Sequence, residues 1–141
     1  MSIDPTQFPG RFTGHHPVPV PLHIVSHDDD GVRAARQVRQ QMYNAREVEC
    51  LLNYTVVPHP VIEATHEYVS VVVADIDDLG AWLYERGGEV RLGPDFMGSK
   101  LYVLTTHTDA APDGSRVEIR VTCAVPLDAG VMPEIRAAVV R

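Results

Sequence analysis

Seven histidines (His15, His16, His23, His27, His59, His66 and His107) and two cysteines (Cys50 and Cys123) are the side chains of this 141-residue chain with the widest chemical reach. A metal site draws three or four such donors to within ~2.0–2.3 Å of one ion, held in orientation by hydrogen bonds behind them. None of the compact spacings that deliver several donors from one element occurs here: no His-Glu-x-x-His, no Cys-x-x-Cys and no His-x-His. Both cysteines fall on the apolar parity of their expected strands. Neither has a cation beside it at a helix start to lower its pKa, so both are expected as reduced, buried packing residues rather than nucleophiles. A Gly-x-Ser-x-Gly elbow and a glycine-rich phosphate loop are also missing, which leaves acyl transfer and nucleotide chemistry without support. Arg33, Arg36 and Arg39 could meet an acidic partner, but Asp28, Asp29 and Asp30 lie within a turn of them, and a solvated helix face is expected. Asp75, Asp77 and Asp78 likewise have a sufficient electrostatic reason in the positive end of the helix they would open.

The elements that must position these groups follow from periodicity and punctuation. Residues 1–21 hold Pro5, Pro9, Pro17, Pro19 and Pro21, and read as a proline-rich arm with polyproline geometry. Residues 22–125 read as one α+β domain and 126–141 as a C-terminal tail. Leu22 to Val25 is a strand candidate, and Ser26 with Asp29 resembles a capping box opening a helix to about Met42. Ala34, Ala35, Val38 and Met42 share one face of that helix. Glu47 to Val57 alternates with period two, which predicts a strand ended by Pro58 and Pro60. Glu67 to Ala74, rich in valine, predicts a central strand buried on both faces. Asp75 caps a helix from Ile76 to Arg86 stopped at Gly87-Gly88. Strands follow at Glu89–Leu92, Lys100–His107 and Arg116–Val125, the last two joined at Pro112-Asp-Gly114. A short helical turn is expected over Glu134 to Val140. The order β-α-β-β-α-β-β-β predicts a two-layer fold with two helices on one face of an antiparallel or mixed sheet, ferredoxin-like or closely related.

One stretch resembles a known family. Tyr68-Val-Ser-Val-Val-Val-Ala-Asp-Ile-Asp-Asp78, Gly87-Gly-Glu-Val-Arg-Leu-Gly-Pro94, Gly98-Ser-Lys-Leu-Tyr-Val103 and Pro112-Asp-Gly-Ser-Arg-Val-Glu-Ile119 together look like one βαβββ module of the vicinal oxygen chelate superfamily, the glyoxalase and bleomycin-resistance group. The likeness covers residues 66–120. It implies that two such modules form a cupped sheet around a metal or small-molecule site, with the glutamate of the last strand, here Glu118, as a metal ligand. Tyr68 stands where the family's strand histidine would fall, and His66 lies two residues earlier on the same strand face. The segment Thr105 to Ala111 is longer than the family's approach to Pro-Asp-Gly. The resemblance thus implies His66 and Glu118 as ligands of a divalent ion that would act as a Lewis acid, and His107 or His23 is the further donor the chain can best offer. Tyr68, Trp82, Tyr102 and Arg120 are the side chains expected to meet a ligand, Trp82 from the edge of the core or from a subunit contact.

Composition bounds the function classes. Nineteen acids against twelve bases, eleven of them arginine, give a formal charge of −7. Phosphate-backbone binding needs concentrated cations, so nucleic acid is not the expected partner. Apolar runs such as Val71–Ala74 fall far short of the ~18 residues a membrane span needs. With no basic-then-apolar leader in view, the expected compartment is the cytoplasm. The leading expectation is a non-catalytic accessory or regulatory protein that binds a small molecule or a protein partner as a homodimer. The alternatives are a metal-dependent lyase, isomerase or dioxygenase of the vicinal oxygen chelate type, and an amino-acid-sensing domain similar to the ACT type, with Asp30-Gly31 at a strand-to-helix turn.

Overall fold

The computed structural model describes the backbone from Pro19 to Arg141 and the side chains from Asp29 onward. Its longest element is a helix, α1, over Pro19–Leu52. First-turn amides of a helix have no internal acceptor, so Pro19 and Pro21 are compatible with its opening turn rather than with an extended arm. Leu22 to Val25 is accordingly helix, not strand, and Ser26 and Asp29 lie inside α1 instead of capping it. The rest of the expected arm, with His15 and His16, and the side chains of His23 and His27 lie outside the described residues.

Residues 1–37 and 38–141 are separate compact units. In the first, every side chain from Asp29 to Gln37 is exposed, Ala34 and Ala35 included. Asp30-Gly31 sits in mid-helix with open space around Gly31, not at a strand-to-helix turn.

In the second unit α1 continues through Glu47–Leu52, correcting the strand expected there. Val48 is buried and Leu51 and Leu52 pack against the core, the 3.6-residue spacing of a helix face. Tyr54 and Val56, which the alternation placed on the same side, are 89% and 100% exposed. The buried Asn44 amide donates to the Thr65 carbonyl at 2.9 Å and accepts from Gln40 at 2.9 Å. The helix ends where Tyr54 N–H turns back to the Leu51 carbonyl.

Five strands follow: β1 (Val61–Ala64), β2 (Tyr68–Val72), β3 (Glu89–Phe96), β4 (Ser99–His107) and β5 (Glu118–Pro126), in the spatial order β1-β2-β5-β4-β3. Only the β2–β5 pair is parallel: a helix carries the chain from β2 across to β3, and β4 and β5 then return antiparallel in turn to bring β5 beside β2. The crossover helix α2 (Ile76–Arg86) has the expected bounds. The Asp75 carboxylate accepts from Asp77 N–H at 3.1 Å, and Gly87 closes the helix with φ +67°. Gly88, at φ +123°, comes so close to β4 that a Cβ there would meet the Thr105 carbonyl oxygen. A final short helix, α3 (Pro133–Ala138), buries Ile135, and beyond it Val140 N–H bonds to Val90 on the outer edge of β3.

The fold is two-layer α+β, as expected, with a five-stranded mixed sheet and three helices among the described residues. The element order differs: β1 has no counterpart in the expected pattern, the first expected strand is helix, and the second is helix as far as Leu52 and irregular beyond it. The valine-rich strand β2 is second in the order rather than central. Val69 and Val71 are buried, Ser70 is half-buried and Val72 is 46% exposed, so it is covered on one face only. Trp82 is fully buried, its Nε1–H donating to the Pro58 carbonyl at 2.7 Å, which corrects its expected place at an edge. Among the described residues no helix is long and apolar enough to cross a membrane.

Candidate functional site

Alternation along β5 divides the sheet into two faces. Ile119, Val121, Cys123 and Val125 turn toward the helices and are buried, while Glu118, Arg120, Thr122 and Ala124 turn the other way. Register extends the second set across the sheet. Tyr68, Glu118 and His107 stand side by side on β2, β5 and β4. The next row is Ser70, Arg120, Thr105 and Glu89, and the one after it Val72, Thr122, Val103 and Arg91. Within residues 38–141 no element covers this face, and its side chains are half-buried or exposed.

Arg120 organises the polar end. Its Nε donates to Glu118 Oε1 at 2.6 Å, and its guanidinium carbon lies 3.8 Å from the centre of the Tyr68 ring. A charge-assisted bond in the plane and an aromatic ring against one side leave this guanidinium few alternative orientations. The Glu118 bond also holds Arg120 more firmly charged than an ordinary arginine. Beside it lies an open cavity of about 440 Å³ walled by Glu89, Arg91, Val103, Thr105, Glu118 and Arg120, with Leu92 and Gly93 at its rim. A second cavity of about 400 Å³ follows on the same face, lined by Phe96, Met97, Leu101 and Ala124 among others. Val103 belongs to the first and Leu101 to the second, two residues or about 7 Å apart along β4.

The expected site residues divide between the two faces. Tyr68 and Arg120 do meet, on the open face. Tyr102 is the register partner of buried Cys123 and packs against the core, so it lies on the helix side and is not a ligand contact of the open face. Trp82 is inside the core beneath the same side. Of the proposed metal set, His107 and Glu118 are register neighbours. His66 sits at the tip of the β1–β2 turn, 3.9 Å from Glu67. Among the described residues no group of three His, Cys, Asp or Glu side chains could hold a metal ion, and Glu118 is already engaged by Arg120. Among the described residues, then, His66, His107 and Glu118 do not come together as the three-donor group a divalent ion needs, and the side chain of His23 lies outside those residues.

Cys123 is not set up as a nucleophile. Burial, followed by the nearby charges of Asp75 and Asp78, pushes the Cys123 thiol up to about 11. Cys50, expected to be buried, is exposed on α1.

No family model, no curated protein and no solved structure matches the chain.

Glu89, Arg91, Val103 and Thr105 were not among the expected site residues. Their parity on β3 and β4 is readable in the sequence, but their meeting with Glu118 and Arg120 depends on strand order, which local pattern does not encode. Away from this cavity, Arg86 fastens the end of α2 to the end of β4. Its Nη2 donates to the His107 carbonyl at 2.8 Å and to Asp109 Oδ1 at 3.1 Å.

Proposed function

We propose that this chain is a non-catalytic accessory or regulatory protein that binds a small molecule on the open face of its sheet and works as a homodimer. The observation that carries this reading is the Arg120–Glu118 pair, backed by the Tyr68 ring, on the wall of an open cavity of about 440 Å³. That volume lies within the ~300–1,000 Å³ of ordinary ligand sites. A preset guanidinium beside apolar Val103 can orient a ligand.

The β-α-β-β-β order from Tyr68 to Pro126, with its first and last strands parallel, supports kinship with the vicinal oxygen chelate module. That kinship implies two modules around one site. The described residues hold a single such unit, so a second copy would supply the other, in keeping with the symmetric dimers most homo-oligomers form.

A small-molecule panel read by thermal unfolding tests the reading. A ligand at 100 times its Kd adds about 2.7 kcal/mol to stability. Compounds that stabilise the wild type are expected to lose that effect in Val103→Trp, which fills the cavity. Equal stabilisation of both proteins would overturn the assignment to this face. A monomer at every concentration in light scattering would remove the dimer, and stoichiometric divalent metal retained by the wild type and lost in Glu118→Gln would overturn the non-catalytic reading.

A further inference from the structure

The cavity beside Arg120 is walled by two carboxylates, Glu89 and Glu118, and two guanidinium groups, Arg91 and Arg120. Such a wall is neutral in sum but strongly divided. An anionic ligand would leave an excess negative charge among these four groups and a cationic one an excess positive charge, whereas a ligand bearing both charges matches both kinds of wall at once. The two cations differ in readiness: Arg120 is held by Glu118 and Tyr68. Glu89 has its only ion pair among the described residues with Arg91, at 4.0 Å with both side chains exposed, and so is open to a competing ammonium group. Beyond Val103 the same face turns apolar at Leu101, Ala124 and Phe96. Polar divided charge at one end and an apolar shelf about 7 Å further along the strand give the two parts of one ligand.

We infer that this face takes a zwitterion with an apolar side group, of the class of a free apolar amino acid, its carboxylate on Arg120, its ammonium on Glu89 and its side group over Val103 and Leu101. The inference rests on the open face being the binding surface, as proposed above.

Three probes of matched shape separate the possibilities: L-phenylalanine, phenylpropionate, which lacks the ammonium, and phenethylamine, which lacks the carboxylate. Calorimetry on the full chain is expected to show phenylalanine binding roughly fivefold more tightly than either, the worth of about 1 kcal/mol for one exposed ion pair. In Glu89→Gln, an exposed position whose replacement leaves the core untouched, the preference over phenylpropionate is expected to vanish. Phenylpropionate or phenethylamine binding as tightly as phenylalanine to the wild type would overturn the zwitterion class, as would no binding by any of the three. Binding that survives in Val103→Trp would instead remove the open face itself, so the two failures are read from different proteins.

Discussion

The two faces of the sheet are built by the same strands and obey different physics. On β5, Ile119, Val121 and Cys123 are fully buried against the helices, while Glu118, Arg120 and Thr122, one residue away in each case, stand half-buried on the open side. On the covered face the residues are interchangeable in kind, since valine, isoleucine, leucine and cysteine all serve burial. On the open face they are particular: a glutamate to fix an arginine, a tyrosine to stack against it, a threonine and a second glutamate to complete the wall. The buried core and the proposed binding surface are thus separated by a single step along the backbone, and substitutions can address one without the other.

The largest effect belongs to the covered side. Trp82→Ala is expected to cost about 3–5 kcal/mol in chemical denaturation, because it empties a fully buried site and leaves the Pro58 carbonyl without its donor. A loss below 1 kcal/mol would mean that this side of the sheet is far looser than its burial implies.

Ile119→Ala and Arg120→Ala bring the contrast to adjacent residues. The first is expected to lose about 2–5 kcal/mol and to bind ligand normally at temperatures where it is folded. The second is expected to lose about 1 kcal/mol or less, as an exposed pair does, and to abolish the ligand-dependent rise in melting temperature. Similar stability losses in the two variants would dissolve the distinction between the faces.

A subtler difference appears with alkali. Burial raises the Cys123 thiol from the usual 9.0 to about 11. The unfolded chain therefore releases this proton first, and the folded state, which keeps it, is favoured fully below about pH 9 and loses that advantage as pH rises toward 11. Urea denaturation of wild type and Cys123→Ala between these values is expected to show the steeper decline in the wild type, by on the order of 1–2 kcal/mol. Parallel curves would contradict a buried neutral thiol. A purely local effect is expected at the helix start, where Asp75→Ala should cost about 1 kcal/mol by removing the acceptor of Asp77 N–H.

The covered face was far more legible in the sequence than the open one. Alternation on β4 and β5, the Asp75 cap and the Gly87-Gly88 stop are local signals, and the structure follows each. Glu47 to Val57 misled because Val48 and Leu52 satisfy periods of both two and four. Tertiary packing decided for the helix, and Tyr54 and Val56 were left in solvent. The prolines at 19 and 21 misled in the same way, being as acceptable in a first helical turn as in an extended segment. For the site, Arg120 was expected as a ligand contact and Glu118 as a metal ligand, but Tyr102 was placed with Arg120 although its parity with Leu104 puts it on the core side. Glu89 and Arg91 come to the cavity only through the β3–β4 pairing, a contact set by the order in which strands assemble.

The borders of the sheet are treated unequally. At the β3 border, Val140 already occupies the Val90 carbonyl, the ladder shifts between Leu92 and Asp95, and Pro94 has no amide to offer. Among the described residues, the β1 border has its four-residue length and the exposed charge of Glu63, which shares the open face with Ser70. A molecule with one adhesive border and one blunt one can join a neighbour once, border to border, after which both outer ends are blunt. Accretion of this sheet into a ribbon or fibril would therefore stop at a pair for as long as the segment around Val140 stays in place.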